Sequence, residues 1–140
     1  MLALPGVAVP VETEAPAGEP LRRVLIVDDD AAIRILVSRV LQRHGFTVDV
    51  VPDGAEAIEM LLQHSYAVIA LDLMMPRIDG LGVIKYLAEH QPGALANVIV
   101  MTAFGSKALR SVCPPVTRFL EKPFDIERLL REAESCAGAA

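Results

Sequence analysis

Residues 24–30 read VLIVDDD, an aliphatic run that is followed by three acidic residues. Four consecutive aliphatic residues, three of them β-branched, predict a short strand that is buried on both faces. Such strands are typical of a parallel sheet covered by helices on each side. The acidic triplet Asp28, Asp29 and Asp30 follows directly, where the chain leaves the sheet. In open parallel sheets this carboxyl end is where ligands bind, so the stretch also predicts where a site lies.

The rest of the chain repeats this strand with amphipathic helices in between. Further strands are predicted at Phe46–Val51, Ala67–Leu71, Asn97–Met101 and Val116–Leu120. The first intervening helix has its apolar stripe at Ile33, Leu36, Val37, Val40 and Leu41, and the second at Ala57, Ile58, Leu61 and Leu62. Five alternating units predict an α/β fold with a doubly wound, five-stranded parallel sheet in the order 2-1-3-4-5.

Composition limits the class of protein. The chain has 140 residues, 53% of them hydrophobic, and a net charge of −5, which suits one folded domain that does not bind nucleic acid through a basic surface. No apolar run is long enough to span a membrane. Residues 1–20 contain four of the ten prolines and no Lys or Arg, so we expect a disordered extension and no signal peptide. Two cysteines, Cys113 and Cys136, lack metal-ligand spacing and are expected as free thiols in a cytoplasmic protein.

Polar residues follow four of the five strands. Asp28 and Asp29 end the first strand, Asp72 the third, Thr102 the fourth and Lys122 the fifth. Each one alone is explained as a helix cap or a surface group. Together, however, they converge on one edge of the sheet, where crowded carboxylates repel one another unless a cation lies between them. Oxygen ligands suit Mg²⁺, and a lysine and a hydroxyl beside the cation are suited to holding a phosphoryl group.

At this point a family resemblance is evident. From about Arg22 to Ala133 the chain resembles the receiver domain of bacterial two-component response regulators. The matching segments are VLIVDDD, ALDLMMPRIDG, VIVMTA and FLEKPF, in that order. The resemblance implies a flavodoxin-like fold, with a receiver domain at residues 21–136 and a short tail at residues 137–140. It also implies a cytoplasmic phosphorylation switch, not an enzyme in the usual sense.

The resemblance assigns the acidic residues one by one. It implies that Asp72 is the phospho-acceptor. Asp29 corresponds to the direct ligand of Mg²⁺, and Asp28 to its partner, which acts mostly through water. The backbone carbonyl of Met74 corresponds to a further ligand of the cation. Asp30 extends the acidic run but has no counterpart among the metal ligands.

Other positions correspond to the family's switch. Thr102 would bind a phosphoryl oxygen, and Lys122 would pair with the phosphoryl group. Pro123 would follow a cis peptide, which proline permits, and Phe119 occupies the aromatic switch position. The implied partners are a sensor histidine kinase or a phosphotransfer protein, and a downstream protein that the sequence does not identify.

Three alternatives belong to other classes. Haloacid-dehalogenase-like phosphatases would use Asp28 and Asp30 as their acids, but Ala32 departs from their pattern. A pseudo-receiver that only binds proteins would not need the intact set of Asp72, Thr102 and Lys122. A nucleotide-binding Rossmann domain would need a glycine-rich turn after the first strand, and none is present. The position of an acyl phosphate, at Asp72, at Asp28 or at neither, discriminates among the phosphatase, the pseudo-receiver and the receiver.

The chain departs from the family between Thr102 and Lys122. Residues 103–121 are about two fewer than expected, and they include Pro114-Pro115, which cannot continue a helix. The helix that the family places before the fifth strand is therefore predicted to be short or distorted. Because many receivers dimerise through this helix, we expect a monomer or a weak dimer.

Overall fold

A single five-stranded parallel sheet forms the centre of the molecule in the computed structural model, which describes residues 22–73, 80–102, 116, 118–122 and 125–138. Its strands are β1 Arg23–Val27, β2 Thr47–Val51, β3 Val68–Asp72, β4 Val98–Thr102 and β5 Arg118–Glu121. They lie in the order β2-β1-β3-β4-β5, and every neighbouring pair is parallel. The predicted fold class and strand order are confirmed.

Helices cover both faces of this sheet. They are α1 Ala31–Arg43, α2 Gly54–Gln63, α3 Gly80–His90 and α4 Ile126–Gly138, with a 3-10 helix at Pro92–Asn97. The side chains of Asp30 and Asp53 cap α1 and α2 by accepting backbone N–H groups of the first turn. Gly45 follows α1 with a φ of 89°, a conformation that glycine adopts without steric cost.

Alternation along the strands divides the core into two layers. One layer contains Leu25, Ile69 and Val100 and is covered by α2 and α3. The other contains Ile26, Ala70 and Met101 and is covered by α1 and α4. The central strands β3 and β4 are buried at every residue, as expected for strands that have helices on both sides.

One partly buried polar cluster joins β1, β2 and the segment just before β3. Arg23 pairs with Asp49 at 3.0 Å, and the hydroxyl of Tyr66 donates to the same carboxylate oxygen at 2.8 Å. Burial raises the pKa of Tyr66, and the hydrogen bond and negative charge of Asp49 raise it further. The cluster therefore depends on a protonated tyrosine.

Some details differ from the sequence predictions. Leu36 and Leu62 were predicted on the buried stripes, but their side chains are 49% and 70% exposed because each lies at the edge of the arc that faces the sheet. The helix α4 runs to Gly138, two residues into the predicted tail. Residues 1–20, residues 103–115, Met74 and Pro123 lie outside the described residues, and so do the predictions made for them. No helix among the described residues is long and apolar enough to cross a membrane.

Candidate functional site

The carboxyl ends of the strands are joined by backbone hydrogen bonds just beyond the ladder. The pairs are Asp28 N to Val51 O at 3.2 Å, Leu73 N to Met101 O at 3.3 Å and Lys122 N to Thr102 O at 2.6 Å. Each bond fixes the first residue after a strand against the neighbouring strand. The side chains that leave the sheet at this edge therefore start from fixed backbone positions.

Three carboxylates meet at this edge. Asp28 is fully buried, Asp72 is 5% exposed and Asp29 is exposed. One oxygen from each lies within 4.8 Å of the others. Buried carboxylates this close together repel one another, and hard oxygen ligands around a small space suit a divalent cation such as Mg²⁺. The side chains therefore fit the cation that the sequence predicted.

Lys122 reaches into the same cluster from the end of β5. Its Nζ donates to Asp28 Oδ2 at 2.9 Å and to Asp72 Oδ2 at 3.2 Å. Burial lowers the pKa of Lys122, but the hydrogen bond and charge of Asp28, together with those of Asp72, outweigh it, and the net shift is upward. The side chain is therefore an ammonium group that bridges two carboxylates.

The three consecutive acids Asp28, Asp29 and Asp30 differ in their hydrogen bonding. Asp28 accepts the backbone N–H of Asp30 on Oδ1 at 2.9 Å, so both of its oxygens have donors. Asp30 caps α1 by accepting the N–H of Ala32 at 2.9 Å. For Asp29, no hydrogen bond of the carboxylate is found among the described residues. Of the triplet, Asp29 is thus the acid that is most available to an added ligand.

Thr102 ends β4 beside Lys122, and Phe119 lies on the neighbouring strand β5. Thr102 is fully buried and aligns with Glu121, while Phe119, 4% exposed, aligns with Val100. Since side chains two residues apart on a strand share a face, Thr102 and Phe119 are on the same face of the sheet. The structure therefore brings Asp28, Asp29, Asp72 and Lys122 together. Thr102 lies at the adjoining strand end, and Phe119 lies three residues before Lys122 in the apolar core. Met74 lies outside the described residues.

Sequence reasoning missed two residues of this edge. Arg34, on the first turn of α1, donates from Nη1 to the backbone carbonyl of Asp28 at 2.7 Å. Gly80 is the first residue of α3, and its φ is not in the left-handed region. Instead, a Cβ at Gly80 would lie 2.6 Å from the carbonyl oxygen of Asp72. Glycine is therefore required there by the close approach of α3 to the end of β3.

Comparison with known proteins supports the assignment of this chain to the receiver family. Residues 24–134 match the family model of the response regulator receiver domain. Response regulator MprA of Mycobacterium ulcerans (strain Agy99) is 39% identical over 110 residues, which is 77% of this chain and 47% of that protein. The chain thus spans about half the length of the curated relatives it matches.

Solved structures show the same architecture. The receiver domain of the Francisella response regulator 1452 has a TM-score of 0.74 at 26% identity and covers 84% of this chain and 98% of its own. Response regulator TrrA from Thermotoga maritima, solved in complex with Mg(2+)-BeF, has a TM-score of 0.73 at 27% identity and covers 83% of this chain and 99% of its own.

Proposed function

The chain belongs to the response regulator receiver domain family, and from this premise we propose that it is a switch that accepts a phosphoryl group on Asp72 from a histidine kinase or phosphotransfer protein. One observation carries the proposal. Lys122 bridges Asp28 and Asp72 within a cluster of three carboxylates at the carboxyl end of the sheet. This arrangement supplies both a nucleophile and the positive charge that a transferring phosphoryl group needs.

The proposed transfer follows from charge and position. One carboxylate oxygen of Asp72 forms a bond to phosphorus while the bond between phosphorus and the imidazole nitrogen of the donor breaks, and that bond's electron pair stays on the nitrogen. Lys122 already contacts Asp72 Oδ2, so its ammonium is in place to neutralise charge on the phosphoryl oxygens. The hydroxyl of Thr102 then serves as a donor to one of these oxygens.

Asp28, Asp29 and Asp72 are the side chains that would hold Mg²⁺. When bound, the cation supplies further neutralisation of the transferring group. Within this chain, Asp28 is kept in place by donors on both oxygens, and Asp29 is exposed to solvent. These contacts favour Asp29 as the principal ligand and Asp28 as a supporting acid.

The switch itself follows from the added charge. An acyl phosphate carries about −1.5 to −2 charges and new acceptor oxygens. Movement of Thr102 toward them would change the packing next to Phe119, which lies on the same face of the sheet. We infer that this shifts the populations of two arrangements on the β4–β5 side of the domain, where a downstream protein binds.

Two alternatives are less well supported. A phosphatase that uses Asp28 as its nucleophile would need an accessible oxygen, whereas Asp28 is fully buried and both of its oxygens accept hydrogen bonds. The second acid of that class, Asp30, is used as the cap of α1. A pseudo-receiver would have no need for the bridge between Lys122 and Asp72.

Labelling with a small phosphodonor tests the proposal. Wild-type protein incubated with acetyl phosphate and Mg²⁺ should gain the mass of one phosphoryl group, and Asp72→Asn should not. Asp125→Asn is a matched control because Asp125 is exposed and can still cap α4 as asparagine. Full labelling of Asp72→Asn, or a label that depends on Asp28 instead, would overturn the assignment.

A further inference from the structure

The contact between Arg34 and Asp28 ties α1 to the acidic loop. The guanidinium Nη1 lies 2.7 Å from the carbonyl oxygen of Asp28, a short bond from a charged donor. The backbone N–H of Arg34 also donates to the carbonyl of Asp30 at 3.0 Å. The side chain of Arg34 thus holds the first residue of the acidic triplet, and its backbone N–H holds the last through an ordinary helical hydrogen bond.

This contact bears on Asp29 through the backbone. The carbonyl of Asp28 belongs to the peptide group that joins Asp28 to Asp29, so holding it fixes the plane from which Asp29 departs. The Asp29 carboxylate has no hydrogen-bond donor in the part of the chain that the structure describes. Its orientation therefore depends on the loop backbone and not on contacts of its own side chain.

We propose that Arg34 is a positioning residue for the divalent-cation site, acting through the Asp28–Asp29 peptide. The inference deepens the proposed function, since it concerns the same carboxylates. Groups that hold metal ligands in place commonly contribute about tenfold or more to metal affinity. Arg34 does so here through a backbone carbonyl and not through a carboxylate oxygen.

The direction of the change in Mg²⁺ affinity distinguishes a positioning role of Arg34 from a direct effect of its charge. A guanidinium near three carboxylates repels an incoming cation, so removing it by charge alone would strengthen Mg²⁺ binding. Positioning requires the opposite, because removal would free the Asp28–Asp29 peptide. Weaker binding after loss of the positive charge has no explanation in direct electrostatics.

Calorimetric titration with Mg²⁺ alone tests the proposal. Arg34→Met keeps the apolar stem and removes the donor, and we expect its dissociation constant to rise about tenfold. Arg39→Met is the matched control, because Arg39 is an exposed arginine of the same helix and, among the described residues, makes no hydrogen bond to residues 28–30. It should bind Mg²⁺ as the wild type does or slightly more tightly. Arg34→Lys keeps one donor and should recover part of the affinity.

Hydrogen exchange of the metal-free protein gives a second readout. The amide of Asp30, which donates to Asp28 Oδ1, should exchange faster in Arg34→Met and unchanged in Arg39→Met. If Arg34→Met does not fold, Arg34→Gln, which is neutral and shorter, carries the same test. Wild-type or tighter Mg²⁺ affinity in the folded variant would overturn the proposal. So would a wild type that binds no Mg²⁺, whereas Mg²⁺ binding without labelling of Asp72 would overturn only the proposed function.

Discussion

The close approach of α3 to β3, which ends in the proposed acceptor Asp72, makes Gly80→Ala a sensitive perturbation. An added Cβ would lie 2.6 Å from the carbonyl oxygen of Asp72 and 2.6 Å from the Cα of Leu73. Both are backbone atoms, one of Asp72 and one of the residue that follows it, so rotation of a flexible side chain cannot relieve these two contacts. Ordinary van der Waals contact begins at 3.4 Å, so each of these two distances is about 0.8 Å too short.

The size of the effect follows from two opposing terms. Forcing an extra carbon into a packed site costs about 1–3 kcal/mol. Replacing a helical glycine by alanine returns at most about 1 kcal/mol, less at the first residue of a helix. The net loss should be about 1–2 kcal/mol, which lowers the Tm by about 4–8 °C in a domain of this size. A shift of several tenths of an ångström at Asp72 should also slow phosphorylation about tenfold.

Thermal unfolding and labelling kinetics with acetyl phosphate measure both effects. Gly93→Ala is the control, since nothing lies within 4 Å of a Cβ built at Gly93. It should unfold at or above the wild-type temperature and accept the phosphoryl group at the wild-type rate. If Gly80→Ala were as stable and as rapidly labelled as Gly93→Ala, the close-approach argument would be wrong.

Three further predictions concern the cation, a buried tyrosine and the lifetime of the acyl phosphate. Asp29→Ala should weaken Mg²⁺ binding in a calorimetric titration more than Asp28→Ala, and equal or reversed losses would show that the two roles are misassigned. Tyr66→Phe should lower the free energy of unfolding by about 1 kcal/mol at neutral pH. Because the folded pKa of Tyr66 lies above its unfolded value of about 10, the wild type should lose stability as the pH rises beyond 10 more steeply than the variant, and parallel denaturation curves would contradict this. Met74 and Phe104 lie outside the described residues, but the family resemblance implies that they flank the path of the hydrolytic water, and an apolar side chain cannot orient a water. Self-dephosphorylation should therefore be slow, and Met74→Asn with Phe104→Glu should speed it, so an unchanged decay rate would count against this account.

The sequence was sufficient for the fold because each strand carries its own signal. The run Val24–Val27 is too apolar for a strand with one wet face, and four similar runs at regular spacing leave few topologies. The ends of the predicted strands differ from the observed ends by one or two residues. Asp72 and Thr102 are the last residues of β3 and β4, not the first residues after them, because backbone pairing continues beyond the apolar run.

The different roles of the residues within the site were harder to predict from the sequence. Three adjacent aspartates look alike in a sequence, and only hydrogen-bond geometry shows that Asp30 caps α1 while Asp28 is buried between two donors. The contact of Arg34 depends on a side chain folding back across a helix turn onto a backbone carbonyl, for which no residue pattern exists. The exposure of Leu62 likewise depends on how wide an arc of α2 the sheet covers.

The balance of charge explains why these residues suit a reversible modification. Asp28, Asp29 and Asp72 contribute three negative charges and Lys122 one positive charge, so a divalent cation would bring the cluster to neutrality. Phosphorylation would replace the single charge of the Asp72 carboxylate by up to two on its phosphoryl group. The site would then have a net excess of about one negative charge, which is far costlier next to buried groups than in water. Under the proposed function, a nearby donor such as the Thr102 hydroxyl would be drawn toward the phosphoryl oxygens. This movement would couple phosphorylation of Asp72 to a change in packing on the β4–β5 side of the sheet.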